Sequence, residues 1–168
     1  MTNSLVATTN TPIGPFTVIA TESDVPVVLA SGWTAEISDL LPVIAAALRP
    51  ISVTTVKNIG GVTDAVTAYH DGELARIDHV AVQQVSGIFL LHAWEILRAQ
   101  PAGRPVTYTD FALIAGRPAA VRGAAMACAR NAAALFVPCH RVVRSDGSLG
   151  GFRWGLPAKR WLLDHEAA

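Results

Sequence analysis

The chain is 168 residues long, 51% hydrophobic and formally neutral at pH 7, with only two cysteines. Such a composition supports a buried core and excludes a disulfide-stapled scaffold or a disordered chain. The longest apolar run, 40–48, is interrupted by Pro42 and is about half the ~18 residues a membrane span needs. No basic-then-apolar leader opens the chain, so the expectation is a cytoplasmic protein with reduced thiols and no membrane contact.

In chain order, the opening reads as β structure: a turn at Thr11-Pro12-Ile13-Gly14-Pro15, a strand over 16–21 and a β-branched run over 25–29. Residues 35–48 carry helical periodicity that Pro50 stops. A strand over 51–56, a short helix over 62–70 after Gly60-Gly61 and an alternating strand over 75–82 complete this half. The second half reads as a helix over 88–99 anchored by Phe89, Trp94 and Leu97, then a turn-rich link at 101–105. A helix over 109–115 follows, capped by Thr107 or Thr109 and stopped at Gly116. An Ala-rich helix over 118–129 completes a helix-turn-helix pattern. A short strand over 135–137 leads into Pro138-Cys139, and a last helix covers 157–165.

Charge is unevenly spread. Residues 1–97 hold three basic and nine acidic side chains, whereas 98–168 hold ten basic and four acidic ones. The second half therefore offers a basic surface that could meet phosphates. It also carries the one conspicuous chemical feature, Pro138-Cys139-His140-Arg141. A cysteine attacks as thiolate, and His140 with the fixed charge of Arg141 points to an exposed, activated thiol. Cys128, in the Ala-rich helix, reads instead as a small buried hydrophobe.

Residues 85–168 resemble the O6-alkylguanine-DNA alkyltransferase family, the methylated-DNA–protein-cysteine methyltransferases. Pro138-Cys139-His140-Arg141-Val142-Val143 matches the family's reactive motif. Val106-Thr107-Tyr108, Ala115-Gly116, Arg122, Asn131, the run 148–155 and His165-Glu166 follow in the family's order. The first 84 residues resemble its variable N-terminal domain chiefly in Thr11-Pro12-Ile13-Gly14-Pro15-Phe16. The resemblance implies an α+β or α/β chain with two domains. Residues 1–84 would form a small ribonuclease H-like α/β support domain. Residues 85–168 would form a helical, winged-helix-like domain with the helix-turn-helix.

It further implies single-use repair of double-stranded DNA, in which an alkyl group passes from O6-alkylguanine, or O4-alkylthymine, to Cys139 after base flipping. His140 would act as base through a water, Glu166 would polarise it, and Asn131 would couple the DNA-reading helix to the reactive turn. Arg122 would enter the minor groove and fill the gap left by the flipped base. Tyr108 would rotate and hold that base. Gly123 would let the helix approach the DNA backbone, and Thr109, Ser145 and Arg144 would contact phosphates. Cys128, Val142, Phe152, Arg153 and Trp154 would line the pocket. Phe152 replaces a tyrosine common in the family, so its hydroxyl is absent, and Trp154 narrows the pocket where human-type relatives have glycine. Some relatives hold zinc in the N-terminal domain; that half has no cysteine here, so neither metal nor cofactor is expected. The expected form is a monomer. Two other readings are a lesion-binding sensor that transfers nothing and a multiple-turnover cysteine hydrolase.

Overall fold

The structure, a computed structural model, describes residues 3–168. It divides into two compact units. The first runs through Val85 and includes Ala132–Phe136; the second comprises Ser86–Asn131 and Val137–Ala168. The expected second domain ran from 85 to 168 without interruption, so the return of Ala132–Phe136 to the first unit is a departure from it.

The first unit is built on a four-stranded sheet in the order β3-β2-β1-β4. β1 (Asn3–Thr11) and β2 (Gly14–Thr21) form an antiparallel hairpin closed by Thr11↔Gly14. Gly14 takes φ +106°, a conformation that favours glycine, and its carbonyl accepts from the Thr11 hydroxyl at 2.6 Å. β3 (Val28–Gly32) is antiparallel to β2, while β4 (Ser52–Thr55) is parallel to β1. Helix α1 (Gly60–His70) packs on β1 and buries Val62, Ala65, Val66 and Tyr69, the one-face spacing of an amphipathic helix. No helix among the described residues is long and apolar enough to cross a membrane.

Three segments differ from their sequence patterns. Residues 35–48 form three separate 3₁₀ turns, Ile37–Asp39, Leu41–Val43 and Ala46–Leu48, rather than one helix. Pro42 has no N–H to donate, and Ile44 and Ala45 lie in extended backbone, so no continuous ladder forms. Residues 75–82 are not a strand: Leu74–Ile77 is a 3₁₀ turn, and only Val82 bridges to Val28. Residues 135–137 also lack strand structure. Leu135 sits at φ +76° in a turn, and the segment is pinned to β3 by Ser31 N–H to Ala132 O at 2.9 Å and Ser31 Oγ to Ala134 O at 2.8 Å.

The second unit holds α2 (Ile88–Ala99), α3 (Tyr108–Ile114), α4 (Val121–Ala129) and α5 (Leu156–Ala167). Thr107 caps α3 by accepting from the Asp110 N–H at 3.0 Å. The helix ends where Gly116 turns at φ +86°; Gly116 N–H reaches Leu113 O and Arg117 N–H reaches Ala112 O, both at 3.0 Å, a Schellman ending. That ending fixes the helix-turn-helix bend between α3 and α4. Trp94 of α2 donates to Ala127 O at 2.8 Å and locks α4 from behind. Two short parallel strands, β5 (Val106–Thr107) and β6 (Val142–Val143), place the start of α3 beside the segment that follows Cys139. The chain is thus a small mixed sheet plus helices, an α+β architecture carrying a helix-turn-helix.

Candidate functional site

Cys139–Arg141 form a single 3₁₀ turn entered through Pro138. Cys139 N–H donates to Val137 O at 2.8 Å, and Asn131 Nδ2 donates to the same carbonyl at 2.7 Å. Asn131 lies just past the cap residue of α4, so it joins the end of that helix to the reactive turn. Cys139 is buried at 8% exposure, which corrects the expectation of an exposed thiol. Burial pushes the thiol pKa up, against the opposing pull of Asn131, Lys159 and Arg153. The resting sulfur is therefore a protonated thiol, and it needs a base to react.

That base lies next in the chain. His140 is fully buried, and its Nε2 lies 3.0 Å from Glu166 Oε2. A carboxylate only accepts, so Nε2 carries the proton and Nδ1 presents the lone pair. Nδ1 has no hydrogen-bond partner among the described residues. Burial lowers the His140 pKa; Glu166 opposes this and Arg141 and Lys159 reinforce it, so the imidazole rests neutral. Burial raises the Glu166 pKa, but His140 and the permanent charge of Arg141 outweigh it and hold the carboxyl well below its usual range.

Arg141 does not serve the thiol as the sequence order implied. It is buried at 2% exposure, and its Nε and Nη2 grip Glu166 at 2.8–3.2 Å. Its Nη1 donates to Gln100 O at 2.6 Å. Lys159 and Arg153 are the charges that act on the thiol, and Lys159 is the buried one. It is completely buried, and Nζ donates to Val142 O at 2.7 Å and Gly151 O at 3.3 Å. Sequence reasoning passed over Lys159, although a signal was available: Lys159, Leu162 and Glu166 form one buried stripe of α5 at spacings of three and four. Polar residues at such positions require partners.

Tyr108 opens α3, and its phenol lies against Gly150: a Cβ there would come within 2.9 Å of the hydroxyl. Gly150 holds φ +75°, so both backbone and space demand glycine. Burial first, then Cys128 and Cys139, push the Tyr108 pKa up to about 12, which keeps the hydroxyl a donor. Thr109 and Ser145 are exposed and their hydroxyls stand 3.3 Å apart. Arg144 and Arg122 are exposed. Arg153 donates to Ala129 O at 2.6 Å and Asn131 O at 3.4 Å, closing the end of α4. Val142 is buried, and Phe152 and Trp154 are partly exposed. Cys128 is half-buried, its thiol pushed up by burial first and by Cys139. Gly123 does not face open surface: a Cβ there would meet Phe89 of α2 at 3.0 Å, so its smallness serves helix packing.

Fold and site together define a helix-turn-helix unit carrying a buried thiol, followed in the chain by an imidazole that pairs with a buried carboxylate. A family profile described as 6-O-methylguanine DNA methyltransferase, DNA binding domain, matches residues 89–168. A probable methylated-DNA–protein-cysteine methyltransferase of Acanthamoeba polyphaga mimivirus is 34% identical over 116 residues, 69% of this chain and 77% of that protein. The bifunctional transcriptional activator/DNA repair enzyme Ada of Escherichia coli K12 is 49% identical over 79 residues, 47% of this chain. This chain spans only 22% of Ada's length. A crystal structure of Mycobacterium tuberculosis OGT in complex with DNA superposes with a TM-score of 0.77 at 27% identity, covering 97% of this chain and 92% of that one. The chain belongs to the methylated-DNA–protein-cysteine methyltransferase family.

Proposed function

We propose that this chain repairs O6-alkylguanine in double-stranded DNA by moving the alkyl group irreversibly onto Cys139. The observation that carries the reading is the His140 ring: Nε2 is committed to Glu166, and Nδ1, on the residue next to Cys139 in the chain, has no partner among the described residues. His140 Nδ1 takes the thiol proton through a water, and the sulfur attacks the alkyl carbon. The S–C bond forms as the C–O6 bond breaks, and its electron pair leaves with the base. Overall the thiol proton ends on guanine. Glu166 fixes the tautomer and stabilises the transient imidazolium. The product thioether has no reversing group, so each molecule acts once.

The base is reached by flipping. Arg122, exposed on α4, fills the vacated stack from the minor groove, and Tyr108 donates to the extruded base. Thr109, Ser145 and Arg144 hold phosphates, and Asn131 links α4 to the turn that bears the thiol. Val142, Cys128, Phe152, Arg153 and Trp154 line the pocket, with Trp154 favouring small alkyl groups. Gly123 contributes indirectly, by seating α4 on α2. The protein acts as a monomer in the cytoplasm, where thiols stay reduced.

Incubation with a duplex containing O6-methylguanine, followed by mass spectrometry, tests this. A single methyl increment on the peptide holding Cys139 is expected; none after long incubation means a sensor, and repeated turnover means a hydrolase. Arg122→Ala is expected to slow transfer from duplex by roughly ten- to a hundredfold, the worth of a lost contact of a few kcal/mol. Transfer from the free base should be nearly unchanged, and equal losses on both would contradict the flipping role.

A further inference from the structure

We propose that Arg141 is a positioning residue that sets the pH range of transfer, by sharing Glu166 with His140 and so limiting how far the carboxylate favours a charged imidazole. This rests on Cys139 as the alkyl acceptor.

The geometry is a three-way junction. Glu166 Oε2 receives His140 Nε2 at 3.0 Å and Arg141 Nη2 at 2.8 Å, while Oε1 receives Arg141 Nε at 3.0 Å. The guanidinium also donates Nη1 to Gln100 O at 2.6 Å, so it has no freedom to release the carboxylate. Two chain segments close over the pair: the end of α2 at Gln100, and Gly103, whose Cβ would stand 2.9 Å from the Glu166 carbonyl oxygen. Arg141 and Glu166 are 2% and 6% exposed, so little water screens them.

A carboxylate facing a histidine alone makes the imidazolium favourable and ties up the base in acid. Here the negative charge is already matched by a guanidinium that never loses its proton. With His140 neutral, the Arg141–Glu166–His140 junction has no net charge; with His140 charged it carries +1. Lys159 of α5 also acts on His140, and it too disfavours a second positive charge there. His140 thus gains a proton only as the thiolate forms, and it remains a free base into mildly acidic solution.

The test is the pH profile of single-turnover methyl transfer from O6-methylguanine duplex, read by mass spectrometry, for the unsubstituted chain, Arg141→Lys and Arg141→Met. Arg141→Met should move the acidic limb upward by about one to two pH units, since a neighbouring charge acts on that scale. Arg141→Lys should restore most of the original position even if its rate is lower. A slower Arg141→Met protein whose acidic limb stays put means a structural clamp only and overturns the proposal. If Arg141→Met does not fold, NMR titration of the His140 ring in Arg141→Gln against the unsubstituted chain decides. A ring that charges at higher pH in Arg141→Gln supports the proposal, and one whose titration is unmoved refutes it. An unsubstituted chain that takes no methyl at any pH refutes the repair reading itself, before any variant is compared.

Discussion

Cys139→Ala is expected to reduce methyl transfer to the level seen without protein while leaving affinity for lesion-bearing duplex within a few-fold of the unsubstituted chain. The substitution removes one sulfur from a site whose scaffold is made by other atoms. The turn is held by the Cys139 N–H and Asn131 Nδ2, both on Val137 O, and alanine keeps the first and does not touch the second. The groups proposed to meet DNA, Arg122 on α4 and the Thr109–Ser145 pair, are held by contacts that do not involve the thiol. The remaining cysteine cannot substitute for it. Cys128 has a thiol pushed up by burial and, unlike Cys139, no histidine follows it in the chain. Transfer by fluorography of labelled DNA and affinity by gel shift give the two readings separately. Residual stoichiometric transfer to Cys128 would move the acceptor assignment, and loss of binding alongside transfer would mean that the thiol also holds the turn together.

Much of this site was legible because its parts are local. Thr107 and Gly116 punctuate α3 as capping chemistry requires, and α2 runs over the residues its periodicity marks. The reactive turn is likewise a run of neighbours. What sequence order misassigned was the direction of charge. Arg141 stands two positions from the thiol yet binds Glu166, 25 residues on, because a 3₁₀ turn directs successive side chains differently. The buried charge that does act on the thiol comes from Lys159, on a helix whose stripe reads as ordinary amphipathic surface until its partners are known. The same limit explains 35–48 and 75–82. Their hydrophobic spacing fits regular elements, but the backbone conformation around Pro42 and the turn at Leu74–Ile77 leave only isolated residues, such as Leu40, Ile44 and Ile77, to reach the core. Leu135 at φ +76° is a position where no residue preference would have placed a leucine.

Glu166→Ala is expected to destabilise the chain by about 3–5 kcal/mol, the usual cost of leaving one member of a buried ion pair alone. Residue type argues against this, since a glutamate is ordinarily a solvated surface residue. The structure argues for it more strongly, since Glu166 is 6% exposed and receives hydrogen bonds from both His140 and Arg141. Without it, Arg141 keeps a buried charge with only the Gln100 carbonyl to answer it among the described residues. Urea unfolding should show a lower midpoint at unchanged slope, and a shift worth less than ~0.5 kcal/mol would place Glu166 in solvent after all. The sign with pH follows from the two shifts. His140 is held below its ordinary value, so the unfolded chain binds that proton first, and stability falls as pH drops below about 6.5. Glu166 is held low as well; its contribution is complete above about pH 4.3 and is lost as pH falls further. Glu166→Gln cannot ionise at that position and should remove the second decline while retaining the first, provided the His140 ring stays buried. The difference between the two pH–stability curves below about pH 4.3 therefore measures the carboxylate's share of the junction, independently of any reaction at the thiol.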